Sequence, residues 1–122
     1  MRTRVLFDQF PIAAAGDLDI DCSMLRGLDV LIYNGGPVAS TYVVSPLIAG
    51  NFGVFLYANA VNIAAFIFHS MRFSAVGEPS SSNAALAAVG AFSPALFLPP
   101  AFRIHNNGGG TLLITAYARY DE

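Results

Sequence analysis

Alternation between apolar and polar side chains is the clearest pattern in this chain, and residues 17–22 show it without exception. The segment DLDIDC changes face at every residue, which is the period-two pattern of a half-buried strand. We expect Leu18, Ile20 and Cys22 to face a core and Asp17, Asp19 and Asp21 to face solvent. Residues 111–120 repeat the pattern, with an inward row of Leu112, Ile114, Ala116, Ala118 and Tyr120 and an outward row of Thr111, Thr115, Tyr117 and Arg119.

Further strands are predicted between turn signals rich in glycine, asparagine and proline. Residues 28–34 and 38–45 form a predicted antiparallel hairpin across Gly35-Gly36-Pro37, and residues 102–106 and 111–120 form a second one across residues 107–110. Residues 51–58 and 63–76 are two more predicted strands, the second bent near His69. Asn83 could cap a short helix over residues 84–89.

Short strands at regular intervals with almost no helix favour one fold class. We predict an all-β fold, an antiparallel β-sandwich or jelly roll of about eight strands with at most one short helix. At 122 residues, the chain is expected to be a single β-sandwich domain over residues 1–122.

Charge is scarce and unevenly placed. Residues 30–71 and 79–102 contain no Asp, Glu, Lys or Arg, and charged residues make up 11% of the chain where about 25% is usual. A domain of this size buries roughly two-thirds of the surface of its unfolded chain, so much of this apolar surface should face another molecule. We expect a homo-oligomer, a trimer or larger ring, with its interfaces drawn mainly from residues 30–71 and a capsid or other large assembly as a further partner.

The same composition argues against two other classes of partner. The net charge is −2 and no basic stripe is present, so nucleic-acid binding is not expected. Residues 47–68 are long enough to cross a bilayer as a helix, but Asn51, Asn59 and Asn62 interrupt them and their Phe, Val, Ile and Tyr content favours a strand. A small membrane-associated protein therefore remains the third interpretation.

The N-terminal segment and the single cysteine also bear on where the protein is made. Asp8 interrupts the N-terminal segment before an apolar run of useful length, so no signal peptide is predicted and synthesis in the cytoplasm is expected. Cys22 is the single cysteine and cannot form an intrachain disulfide.

The acidic row Asp17, Asp19 and Asp21 is the sharpest candidate for a metal site. Its spacing resembles the start of an EF-hand calcium loop, but the sixth position is Cys22 instead of glycine and the twelfth is Leu28 instead of glutamate. We therefore expect a solvated charged face, with Arg2 and Arg4 as candidates for a cross-strand ladder, and no metal or other cofactor.

No motif of an active site accompanies these features. His69 and His105 are the only histidines, and the glycines at 108–110 precede a strand, so they lack the helix N-terminus that cradles a phosphate. No catalytic, cofactor-binding or metal-binding residue is assigned, and we expect a non-enzymatic protein. Tyr33, Tyr42 and Tyr117 share rows with polar residues; if they face outward, a carbohydrate-binding jelly-roll module is the alternative function.

The segments LDVLIYNGG and STYVV, together with FRIHNNGGGTLLITAYARY, resemble small single-domain jelly-roll proteins of bacteria and their phages. Among these are decoration, or cement, proteins that sit on phage capsids as oligomers. The resemblance covers about half of the chain and consists of strand and turn patterning, so it carries over no functional residue. It implies a virion or capsid-surface component as the function.

Overall fold

The computed structural model describes residues 2–47, 50–52, 58–74, 88–89 and 96–120, and within these ranges the secondary structure is entirely β. The ten strands are β1 (Arg2–Ile12), β2 (Asp17–Asp21), β3 (Gly27–Asn34), β4 (Ser40–Pro46), β5 (Ala58–Ile63), β6 (Phe68–Ser74), β7 (Ala88–Val89), β8 (Leu96–Phe97), β9 (Ala101–Asn106) and β10 (Leu112–Tyr120). Strands β7 and β8 have two residues each, so eight strands of five or more residues build the fold, as predicted.

The strands form two sheets with the connectivity of a jelly roll. The large sheet has the order β1-β10-β3-β6, and β7 and β8 both pair with β6; the small sheet has the order β2-β9-β4-β5. All pairs are antiparallel except β6 with β8. The predicted antiparallel sandwich is therefore confirmed, and most connections cross from one sheet to the other.

Both predicted hairpins are wrong. Strand β3 pairs with β10 and β6, whereas β4 pairs with β5 and β9, so the two strands around Gly35-Gly36-Pro37 lie in opposite sheets. Strands β9 and β10 are likewise in different sheets. The physical reason is that each of these strands has an apolar inward row, and two such rows bury each other when they face across a sandwich.

Two other expected elements differ from the structure, and a third lies mostly outside the described residues. Residues 63–76 are not one strand, because β5 ends at Ile63 and a turn with Phe66 at φ +60° precedes β6. Ala88 and Val89 form β7 instead of the end of a helix, and residues 84–87 lie outside the described residues. Of the predicted strand at residues 51–58, residues 53–57 also lie outside them.

The core lies between the sheets, where the inward rows meet. Leu18, Ile20 and Cys22 are buried while the acidic row is exposed, and Leu112 to Ala118 follow the predicted alternation. Phe73 from the large sheet stacks on Phe102 from the small sheet, with ring centroids 4.8 Å apart. The period-two patterns therefore predicted the correct faces for these strands.

Asn34 and Asn106 are both fully buried, and they lie at the same end of the sandwich. Asn34, at the end of β3, donates from Nδ2 to the carbonyls of Val38 and Ile63, at 2.8 and 3.1 Å, and its Oδ1 accepts from the Gly36 amide. Its backbone N–H donates to the carbonyl of Ile67. These bonds tie the β3–β4 loop to the end of β5 and the turn that follows it, so the chain crosses to the other sheet there.

Candidate functional site

The outer face of the small sheet is polar, and its three acidic side chains are hydrogen-bonded within the protein. Asp17 Oδ1 lies 2.7 Å from His105 Nδ1, and Arg103 donates from Nε and Nη2 to the two carboxylate oxygens of Asp19 at 2.7 and 3.0 Å. Asp21 accepts a bond of 2.9 Å from the Ser23 amide. Each carboxylate of the acidic row thus has its own partner within the protein.

The partners of the acidic row are not the predicted ones. Arg2 and Arg4 lie on β1 of the large sheet, in register with Tyr120 and Ala118, so the expected ladder with the acidic row does not form. Strand β9 supplies the partners of Asp17 and Asp19 instead, because it pairs with β2 in the small sheet. The hydrogen bonds that Arg103 donates to Asp19 raise the pKa of Arg103, and the bond that Asp21 accepts from the Ser23 amide lowers the pKa of Asp21.

Within the described residues, no cluster of three or more His, Cys, Asp or Glu side chains could hold a metal ion. Arg103 also lies over the ring of Phe52, 4.4 Å from its centroid, which holds the guanidinium against the sheet. The arrangement can stabilise the pairing of β2 with β9, and it keeps an exposed strand charged.

A polar pair crosses the interior of the sandwich. Tyr42 on β4 and His69 on β6 approach to 2.8 Å between the phenolic oxygen and Nδ1, and their rings meet edge to face at 5.8 Å. Burial raises the pKa of Tyr42 and lowers the pKa of His69, so both side chains are held neutral. Tyr42 is fully buried, which corrects its expected outward position and removes it from any sugar-binding surface.

Cys22 follows β2 and is 3% exposed. Its thiol lies 3.7 Å from the carbonyl oxygen of Ile20, and burial, with a smaller contribution from the nearby Asp21, raises the pKa of the thiol to about 12. A reactive cysteine needs a lowered pKa and access to solvent, so Cys22 acts as a buried apolar side chain.

The outer face of the large sheet is chemically different from that of the small sheet. Side chains of β10, β3 and β6 form an apolar patch, which we define as Leu31, Tyr33, Phe68, Leu113 and Thr115. Tyr33 lies between Leu113 and Phe68 in register, and the rings of Tyr33 and Phe68 are 6.1 Å apart. Phe68 is 48% exposed, and the other members are half-buried.

A groove of about 380 Å³ runs across the apolar patch and is lined by all five patch residues and Gln9. The backbone amide of Gln9 donates to the hydroxyl of Thr115, which fixes the bulged part of the edge strand β1 beside the groove. Pro11 lies within β1, where it does not interrupt the strand as a central proline would, because β1 is at the edge of the sheet.

An ionic cluster bounds the apolar patch toward the other end of the sheet. Asp29 accepts from Arg72 at 3.1 Å and from Arg119 at 2.7 Å. Gly27 permits this arrangement, because a β-carbon there would come within 2.6 Å of the Arg119 guanidinium. The outer face is thus divided into an apolar half and a paired ionic half.

Two of the three tyrosines that we expected to face outward do so. Tyr33 belongs to the apolar patch and Tyr117 is 39% exposed on the same face, so both face outward as predicted. The importance of Leu31, Leu113 and Phe68 was missed. The sequence did contain a signal for Leu31 and Leu113, because β3 and β10 carry large apolar residues on both of their faces.

Within the described residues, no helix is long and apolar enough to cross a bilayer. The part of residues 47–68 that would have formed such a helix contains strand β5.

Comparisons with known proteins give only distant likenesses. No family model matches the chain, and no curated protein matches it in sequence. Among solved structures it is similar to the GH32 beta-fructofuranosidase BmSUC1 of Bombyx mori, with a TM-score of 0.42 and 8% identity over 93% of this chain and 26% of the enzyme. A chain in the structure of infectious bursal disease virus Gx strain gives a TM-score of 0.30 and 12% identity over 97% of this chain and 41% of that one. The chain thus spans less than half of each, and likenesses at these scores carry no functional argument.

Proposed function

We propose that this protein is a non-enzymatic structural protein that associates with copies of itself, as a component of a virion surface of the capsid-decoration type. The observation that carries the proposal is the difference between the outer faces of the two sheets. The small sheet presents hydrogen-bonded polar and charged side chains, as a solvated face does, whereas half of the large sheet presents the apolar patch. An apolar patch rimmed by polar residues marks an interaction site.

The composition supports the same function. The charge-free runs at residues 30–71 and 79–102 give the chain more apolar surface than a solvated monomer needs. Four side chains with acid, base or nucleophilic chemistry, Tyr42, His69, Asp29 and Cys22, are engaged in buried or paired structural contacts. With a net charge of −2, we expect no nucleic-acid partner.

The mass of the native particle in solution tests the self-association. Light scattering coupled to gel filtration, at micromolar protein, should give a multiple of the 12.9 kDa chain mass. A stable soluble monomer would contradict the proposal. The virion assignment is tested separately by mass spectrometry of particles purified from the source that encodes the chain, where the protein should be present at many copies per particle.

A second candidate function is favoured by one feature of the groove. Tyr33 and Phe68 flank it, and Gln9 and Thr115 add polar groups, a combination that can stack on and hydrogen-bond a sugar ring. Jelly rolls occur in both capsid proteins and lectins, so the fold is compatible with either function. A glycan array distinguishes them: specific binding that is lost in Tyr33→Ala would favour the carbohydrate-binding module.

A further inference from the structure

We propose that the apolar patch is the surface on which a second copy of this chain docks, sheet against sheet, with Phe68 of each copy lying over Pro11 of the other, beside Leu113 and Gln9. The inference rests on the proposed self-association and specifies where it occurs. Its observations are the groove, the exposed ring beside it and the size of the sheet face.

The patch has the shape that a two-fold contact requires. In such a contact the same surface meets itself, so it must carry both a projection and a recess. Phe68 is 48% exposed on β6, and the groove extends from it across β3 and β10 to Gln9 on β1. At about 380 Å³, the groove has more than ten times the roughly 30 Å³ share of one water, so it can admit a side chain.

The strand order places the projection of one copy over the recess of the other. The order is β1-β10-β3-β6, so a two-fold axis parallel to the strands and midway between β10 and β3 sets β6 of one copy over β1 of its partner. Phe68 is then opposite Pro11, which shares its register row through Tyr33 and Leu113, and lies next to Gln9 at the β1 end of the groove. Thr115 and Leu31, which are in register on the two central strands, lie next to the axis.

The face is large enough for a specific contact. Four strands about 4.8 Å apart and about 27 Å long present a flat area of roughly 500 Å², of which the apolar patch is one half and the ionic cluster of Asp29, Arg72 and Arg119 the other. Two such faces bring together about 1,000 Å², even before the relief of the side chains is counted, and this is the size at which a contact becomes a credible biological interface.

Electrostatics favour a second copy of this chain over a charged partner. The apolar patch contains no charged side chain, and the nearest charges on the same face, Asp29, Arg72 and Arg119, already pair with one another. Docking therefore buries no unpaired charge of β10, β3 or β6, which would be costly; Asp8, next to Gln9 on the edge strand β1, is exposed. The contact closes as a dimer, so a larger ring would need a second surface.

Paired threonine variants test the location of the interface. Thr115 and Thr41 are both half-buried on outer faces, Thr115 on the large sheet and Thr41 on the small one. We expect Thr115→Arg to weaken association at least tenfold in sedimentation velocity, and Thr41→Arg to leave it within twofold of the unmodified protein. Urea unfolding of both variants checks that each is folded.

Single cysteines provide a readout that does not depend on an arginine being tolerated. A short bismaleimide should join two copies of Thr115→Cys but not of Thr41→Cys, and not of the unmodified protein, whose Cys22 is buried.

If the unmodified protein associates but both Thr115 variants behave like the Thr41 controls, the interface lies elsewhere and only this inference is wrong. If the unmodified protein is a monomer at every concentration, the proposed function is wrong as well. Loss of association on adding a glycan that binds the groove would show that a sugar occupies the patch, and would overturn the inference.

Discussion

Asn34 and Asn106 make three equivalent side-chain hydrogen bonds in opposite sheets, and Asn106 accepts a further one from the Ser40 hydroxyl. Each donates from Nδ2 to the carbonyl four residues later, Val38 or Gly110, and each accepts at Oδ1 from the amide two residues later. Each also donates to the last carbonyl of a strand, that of Ile63 for Asn34 and that of Ile12 for Asn106. Each side chain therefore joins the loop that follows its own strand to the end of another strand.

The backbone around the two asparagines repeats as well. The Asn34 carbonyl accepts from Phe66 and the Asn106 carbonyl from Ala15, and both donors have positive φ, at +60° and +63°. Strands β1 to β4 thus correspond to β5, β6, β9 and β10, and exchanging the two sets converts the order of one sheet into that of the other. The Asn-Gly segments that follow β3 and β9, NGG at residues 34–36 and NNGGG at residues 106–110, belong to this internal two-fold arrangement and not to two hairpins.

Replacing Asn106 should be far more damaging than replacing its neighbour. Asn106→Ala removes bonds to Ile12 and Gly110 and leaves buried carbonyls without donors, so we expect a loss of about 2–4 kcal/mol in the free energy of unfolding. Asn107 is exposed, and Asn107→Ala should cost less than about 0.5 kcal/mol. Urea denaturation of both variants measures the difference; equal costs would mean that the side-chain bonds of Asn106 contribute little.

Truncation on the two faces of β10 should have unequal effects. Ile114 is fully buried, so Ile114→Ala should cost about 2–5 kcal/mol. Thr115, one residue away, faces outward and is half-buried, and Thr115→Ala should cost less than half as much. Chemical denaturation at a protein concentration where association is absent provides the test. A larger cost for Thr115→Ala would contradict the register of β10.

Stability should fall on mild acidification because of His69. Burial lowers its pKa in the folded state below the ordinary 6.5, so the unfolded chain binds a proton first as the pH falls. The free energy of unfolding is therefore highest above pH 6.5 and falls below it, by at most about 1.4 kcal/mol per pH unit, until His69 is protonated in the folded state too. Urea unfolding at a series of pH values measures this slope.

Two variants assign the slope to its residue. His69→Gln retains a side chain that can bond to the Tyr42 hydroxyl and does not titrate, so its stability should change less over the same range. His105 lies on the outer face of the small sheet. In His105→Gln the free energy of unfolding should therefore still fall below pH 6.5, because His69 is unchanged. A slope in His69→Gln equal to that of the unmodified protein would show that another group is responsible.

Cys22 should be unreactive until the protein unfolds. Its thiol is buried and its pKa is raised to about 12, so at pH 8 almost none of it is thiolate and reagents cannot reach it. Ellman's reagent should detect no thiol in the native protein and one per chain in denaturant. The exposed neighbour serves as a control, since Ser23→Cys should react at once. Rapid native reaction of Cys22 would mean that β2 opens readily.

Calcium should leave the melting temperature unchanged. The carboxylates of Asp17 and Asp19 are paired with His105 and Arg103, and a calcium ion would have to displace these partners. Binding to the native state would raise the melting temperature in proportion to ln(1 + [L]/Kd), so scans with millimolar calcium and with a chelator would reveal a site. A rise that disappears in Asp19→Ala would contradict the prediction.

The alternation of apolar and polar residues within a segment determined which side chains of the regular strands face the core. DLDIDC and residues 112–118 alternate at every residue, and a strand turns alternate side chains to opposite faces whatever it pairs with. This is why the inward positions of Ile20 and Ile114 could be predicted, and with them the all-β class. The apolar character of both rows of β3 and β10 was also in the sequence, although its meaning was missed.

Only the tertiary structure decided which strands pair and which side chains come together. No local signal distinguishes a hairpin of β3 and β4 from the observed pairing of β3 with β10 and β6, because the choice depends on burying the apolar rows of both sheets at once. The same long-range choice places Tyr42 inward against His69, and Arg103 instead of Arg2 beside Asp19. The free energy of such pairing is a sum over contacts between residues far apart in the chain, which a window of neighbouring residues does not contain.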